Sequence, residues 1–218
     1  MADFLDEVMD DVKQEQFRKL FEKYGNHLVT LVLVILVSTG LVIWYNNWQL
    51  NKTIAAGDSF FQASIDYGRV DVEKSAADLQ EIAKNGGGGF PALAKLHEAT
   101  LLDKQDKLKN AYDLYGEVVS DGGASREMRD MAALRQAYIL VRSAKLREEL
   151  KEDPNKILEE LTGADRPWRY SAMELQGFFA FSEKRIDDAK KIFLTLKGDA
   201  LTPRALRSRA EAFVSRLN

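Results

Sequence analysis

The stretch "RYSAMELQGFFAFSEKRIDDAKKIF", residues 169–193, sets Gly177 and Ala189 twelve positions apart, with Phe193 four residues and Leu196 seven residues after the second. The same intervals recur upstream in Ala99, Ala111, Tyr115 and Val118, and more weakly in Ser64, Ala76 and Ala83. A small residue on each of two antiparallel helices lets their backbones approach. An aromatic one turn later then fills the space toward the next pair.

Outside this pattern the chain beyond Asn51 is helical by its spacing: apolar residues recur every three or four positions, and no run alternates over strand length. All four prolines stand where helices begin: Pro91, Pro154 after Asp153, Pro167 two residues after Asp165, and Pro203 after Thr202. Proline loses nothing at the first helical position, and Asp or Thr before it can cap. Glycines mark the opposite ends at Gly86–Gly89, Gly122, Gly123, Gly163 and Gly198. Helices are therefore predicted at 49–69, 72–85, 91–104, 107–120, 125–150, 154–162, 167–183, 186–197 and 203–216, the first able to continue the apolar segment before it. The chain resembles degenerate tetratricopeptide repeats, all-α, with an over-long 125–150 helix, a short partner, and Ile157 eight residues late for the period.

Leu28–Tyr45 holds eighteen residues without a charge, and 27–45 as a helix runs roughly 28 Å, about the thickness of bilayer hydrocarbon. The mean hydropathy of the whole chain, −0.31, averages this rod with a polar remainder. Trp44, Tyr45 and Trp48 gather at its far end, where amphipathic rings favour the headgroup zone. The acidic leader and the length disfavour a cleaved signal peptide. The predicted division is a cytoplasmic segment 1–26, a transmembrane signal-anchor helix 27–48 and a repeat domain 49–218. Lys13, Arg18, Lys19 and Lys23 precede the span, whereas Lys52 alone follows closely. The positive-inside rule keeps the N-terminus in the cytoplasm and exports the C-terminal domain, in a bacterium to the periplasm.

Chemistry finds few candidates. Residues 51–218 balance 27 basic against 27 acidic side chains, which gives nucleic acid no basic face. Cysteine is absent and the two histidines, His27 and His97, are distant in sequence, so no catalytic, cofactor or metal site is predicted. "GGGGF" at Gly86 lacks the Lys–Ser/Thr ending of a phosphate loop and reads as a flexible turn. Arg126, Arg129, Arg135, Arg142, Lys145 and Arg147 run along the central helix as a solvated face or a docking stripe for acidic groups, with Arg135, Arg142 and Lys145 its candidate core. The repeat-packing set is Ala99, Ala111, Tyr115, Gly177, Ala180, Ala189 and Phe193, with Phe179 able to enter the core. Phe178 and Phe181 are candidate anchors on a partner groove.

The order of "EQFRKLFEKYGNHLV" at 15–29, "IWYNNWQ" at 43–49 and "LQGFFAFSEKRIDDAKKIF" at 175–193 resembles the YfgM family of bacterial inner-membrane proteins over nearly the full length. The resemblance implies a non-enzymatic accessory of the Sec translocon, acting beside a membrane-anchored periplasmic chaperone of the prolyl-isomerase type. An envelope-assembly or division scaffold is the alternative. So is a regulator that binds a cytoplasmic protein through Phe4, Leu5, Val8, Val12, Phe17, Leu20, Phe21 and Tyr24. The topology has a direct check: alkaline phosphatase fused after Asn218 should be active and a cytoplasmic reporter inactive at the same position. The reverse pattern would invert the orientation.

Overall fold

The computed structural model describes residues 2–67 and 72–216, with side-chain surroundings for 18, 22–65 and 74–216. Among these residues all regular structure is helical. The chain divides into a unit of residues 1–51 and a unit of 52–218.

Helix α1 (Ala2–Tyr67) runs through the apolar segment, so the helix predicted from residue 49 is its C-terminal part. In the first unit the segment is long and apolar enough to cross a membrane, and none of its most apolar window is buried. Its few hydroxyls are internally satisfied, since Thr30 donates to the carbonyl of Asn26 and Ser38 and Thr39 donate to that of Ile35. Except for Tyr24, the side chains of the N-terminal apolar set lie outside the described residues.

The second unit continues with α2 (Val72–Asn85), α3 (Phe90–Lys104), α4 (Leu108–Val119), α5 (Arg126–Arg142), α6 (Ala144–Leu150), α7 (Pro154–Leu161), α8 (Arg169–Ser182), α9 (Ile186–Gly198) and α10 (Arg204–Arg216). Each helix packs chiefly on its sequence neighbours, except that α7 replaces α6 as the partner of α5. Helix α6 stands outside the helix pairs. The predicted 125–150 helix is in fact two, because the Ser143 backbone leaves helical geometry and its hydroxyl accepts the amide of Leu146 as the cap of α6.

Burial exposes one register through four helix pairs. Gly177, Ala189, Phe193 and Leu196 are buried, as are Ala99, Ala111, Tyr115 and Val118. In the first pair the buried set is Ala63, Ser75, Leu79 and Ile82, one residue before the predicted Ser64 and Ala76. The shift has a cause: Ser75 occupies the small-residue position by donating its hydroxyl to the carbonyl of Ala63 at 2.9 Å, which removes the cost of burying a polar side chain there. In the third pair Ala137 is followed by Pro154, Leu158 and Leu161, all buried. The excursion through α6 lengthens the gap, and the intervals resume on α7.

Helix starts vary around the prolines. Pro154 opens α7, with the Asp153 carboxylate accepting the Asn155 amide at 2.9 Å. Pro167 instead precedes α8 by two residues, and Asp165 does not cap it but accepts Arg126 at 2.6 Å. The Gly86–Gly89 turn is packed rather than flexible: a Cβ on Gly87 would lie 2.6 Å from the Thr53 amide nitrogen, and Gly88 has φ +61°.

At Gly177 an added Cβ would stand 2.8 Å from the Phe193 ring. Gly177→Ala should therefore destabilise the domain by about 1–3 kcal/mol, from overpacking. Gly198→Ala, whose Cβ meets nothing within 4 Å, should be neutral or stabilising; thermal unfolding by circular dichroism compares the two.

Candidate functional site

The helices that open the third and fourth pairs, α5 and α8, lie side by side and enclose a hollow of about 370 Å³. Leu134 and Tyr138 from α5 and Leu175 and Phe178 from α8 form apolar walls, and Trp168 closes one end. Trp168 is fixed by its indole N–H, which donates to the carbonyl of Glu127 at 3.0 Å. Tyr138 and Phe178 remain about two-fifths exposed, so their rings present apolar surface to an incoming side chain.

Two charges line this hollow, Arg135 and Glu174. Glu174 is neutralised from α10 by a two-pronged pairing with Arg209 at 2.7 and 2.8 Å. Arg135 is exposed and forms no ion pair among the described residues. The hollow therefore combines aromatic walls with one uncommitted guanidinium.

The other predicted cations do not make a free stripe. Arg142 is held by Asp103 at 2.5 Å, with Asp106 at 3.8 Å, and lies over the Tyr138 ring. Arg147 pairs with Glu183 at 2.8 Å and Arg126 with Asp165. Arg129 donates to the carbonyl of Ala124. Lys145 is exposed on α6, beyond the break at Ser143. The break and these pairings reassign most of the run to holding neighbouring elements together. Periodicity could not show this, because the acidic partners lie 36 to 39 residues away.

The aromatic anchors likewise split in role. Phe178 meets Phe193 and Phe213 edge-on at 5.1 and 5.4 Å, and Phe181 meets Phe213 at 5.1 Å. Phe213 belongs to α10, so that helix packs against one side of both rings, and Phe181, like Phe178, stays about two-fifths exposed. Phe179 is buried beneath the Arg147 guanidinium at 5.0 Å. Of the predicted pair, Phe178 alone also lines the hollow. Sequence reasoning missed Tyr138 and Trp168; Tyr138 follows the buried Ala137 on α5 and Trp168 caps the start of α8, and the packing of α5 on α8 brings them together.

Trp44, Tyr45 and Trp48 are exposed in the first unit, the last two with ring centroids 6.2 Å apart. His97, partly buried, faces the Phe60 ring edge-on at 5.9 Å. Its pKa is pushed down by burial, then by the nearby Lys104 charge. Among the described residues no group of three His, Asp or Glu side chains is placed to hold a metal.

A family described as tetratricopeptide repeat-like domain matches residues 18–202. No curated protein and no solved structure matches the chain. Phe181→Ala should lower thermal stability by about 1 kcal/mol through loss of its edge-on contact, while Lys145→Ala should leave the melting temperature unchanged.

Proposed function

The chain belongs to the tetratricopeptide repeat-like domain family, and from that premise we propose that it is a membrane-anchored scaffold of the bacterial Sec translocon, with its repeat domain in the periplasm. Tetratricopeptide repeat-like domains act by holding other proteins. The α5–α8 hollow is the observation that carries the reading. Its aromatic walls suit an extended or helical peptide with a bulky apolar side chain, and Arg135 suits a carboxylate next to it. Attachment through residues 28–45 raises the effective concentration of a weakly binding groove beside whatever emerges at the membrane.

Support for the translocon as the place of work comes from the elements flanking the span. "LFEKYGNHL" before it and the aromatic "IWYNNW" after it resemble the corresponding elements of the YfgM family. The partners then implied are the translocon, a membrane-anchored prolyl-isomerase-type chaperone and newly exported chains.

Purification of the full chain in mild detergent, with mass identification of co-eluting proteins, tests the proposal. Translocon and periplasmic chaperone should be recovered. Recovery of assembly, division or cytoplasmic regulatory proteins in their place would overturn it. Arg135→Glu combined with Tyr138→Ala should lower that recovery about tenfold, as expected for loss of central anchors, with the melting temperature unchanged.

A further inference from the structure

Helix α10 packs on α9 and α8 and buries Leu206, Ala210 and Val214. Immediately before Ala210 it carries Arg209, which is not among the residues that line the α5–α8 hollow, whereas its partner Glu174 is. The Glu174 side chain is only 13% exposed and that of Arg209 56%. The carboxylate therefore belongs to the hollow, while both of its oxygens are held, at 2.7 and 2.8 Å, by a guanidinium that does not.

A carboxylate so far removed from water needs a cation close to it. Arg135 lines the same hollow from α5, yet Glu174 is paired with Arg209, and Arg135 is left exposed with no ion pair among the described residues. No other charged residue lines the hollow among those described. Because the two-pronged pairing takes up both carboxylate oxygens, Glu174 offers little to an incoming ammonium group. The charge that a ligand meets is that of Arg135.

We infer that Arg209 determines the specificity of the hollow: by engaging Glu174 it makes the site select an acidic peptide segment with a bulky apolar side chain and reject a basic one. Without Arg209, Glu174 becomes an unpaired carboxylate at the space that Arg135 also lines. It then pairs with Arg135 or attracts a cation on the ligand, and either outcome removes the preference for acid. Specificity is a difference between two affinities, and here α10 sets that difference although α5 and α8 form the walls. This selectivity rests on the hollow binding peptide and is independent of the translocon as partner.

Peptides with a neutral fluorophore and a central Trp flanked either by Asp or by Lys, titrated with the full chain in mild detergent and followed by fluorescence anisotropy, read the preference as a ratio of affinities. The wild type should bind the Asp peptide at least about tenfold more tightly than the Lys peptide. Arg209→Ala should bring the ratio to about threefold or less, and Glu174→Gln with Arg209→Ala should restore it, because the carboxylate that Arg209 offset is gone. Partial unfolding weakens both peptides alike and leaves the ratio unmoved. If Arg209→Ala does not fold, Arg209→Gln, which keeps a donor to the carboxylate but no charge, carries the same expectation. An unchanged ratio in a folded Arg209 variant, a double variant that stays unselective, or a wild type that favours the Lys peptide or neither would overturn the selectivity while leaving peptide binding at the hollow intact. Failure of the wild type to bind either peptide would instead remove the hollow as a peptide site, and the role of Arg209 with it.

Discussion

The close approach of paired helices at a small residue is the constraint from which the rest of the repeat domain follows. At Gly177 the Phe193 ring lies so near that even a methyl group would meet it at 2.8 Å. One residue must be small so that its neighbour, a turn further along the partner helix, can be large and wholly buried. The same exchange is made by Ala99 with Tyr115, Ala63 with Leu79 and Ala137 with Leu158. Since dense packing leaves few voids, the small and large members are fixed together, and the twelve-, four- and seven-residue intervals follow from helix geometry.

That constraint acts on intervals within a pair and leaves the connections free. The α6 excursion is accommodated because α7 re-enters at the required spacing. Adjacent pairs are then tied by charge: Arg142 to Asp103, Arg166 to Asp130 at 2.8 Å and Arg209 to Glu174. In the first and last of these the arginine is partly exposed while the carboxylate is mostly buried. The Arg166–Asp130 pair, with the carboxylate almost wholly buried, makes a larger demand because neither charge is tolerated there alone. Among the described residues these ties, with the carbonyl bond of Arg129, leave Arg135 and Lys145 of the basic run unpaired, and of the two Arg135 stands at the aromatic hollow.

The C-terminal helix has two effects on that region. Phe213 joins Phe178, Phe181 and Phe193 in an aromatic cluster, while Arg209 neutralises Glu174. The first packs one side of Phe178 and Phe181, and the second leaves Arg135 as the unpaired charge at the neighbouring hollow. The exposed aromatic surface on α5 and α8 therefore depends on α10 as well as on the helices that carry it.

The sequence by itself determined the helical class, the apolar segment, and the repeat register in the two pairs where Gly177 and Ala99 open it, because burial at fixed helical spacing is a local periodic signal. It misplaced the first pair by one residue, since Ser75 becomes acceptable inside only through its hydrogen bond to the Ala63 carbonyl, a partner twelve residues away. It ran α5 and α6 together, because the cap at Ser143 is a single polar residue within a continuous helical pattern. Tertiary structure alone decided which arginines are spent on distant carboxylates, which phenylalanines α10 packs against, and that Tyr138 and Trp168 share a hollow. Each of those outcomes depends on side chains that meet only when separate helices pack, and no spacing along one helix records such meetings.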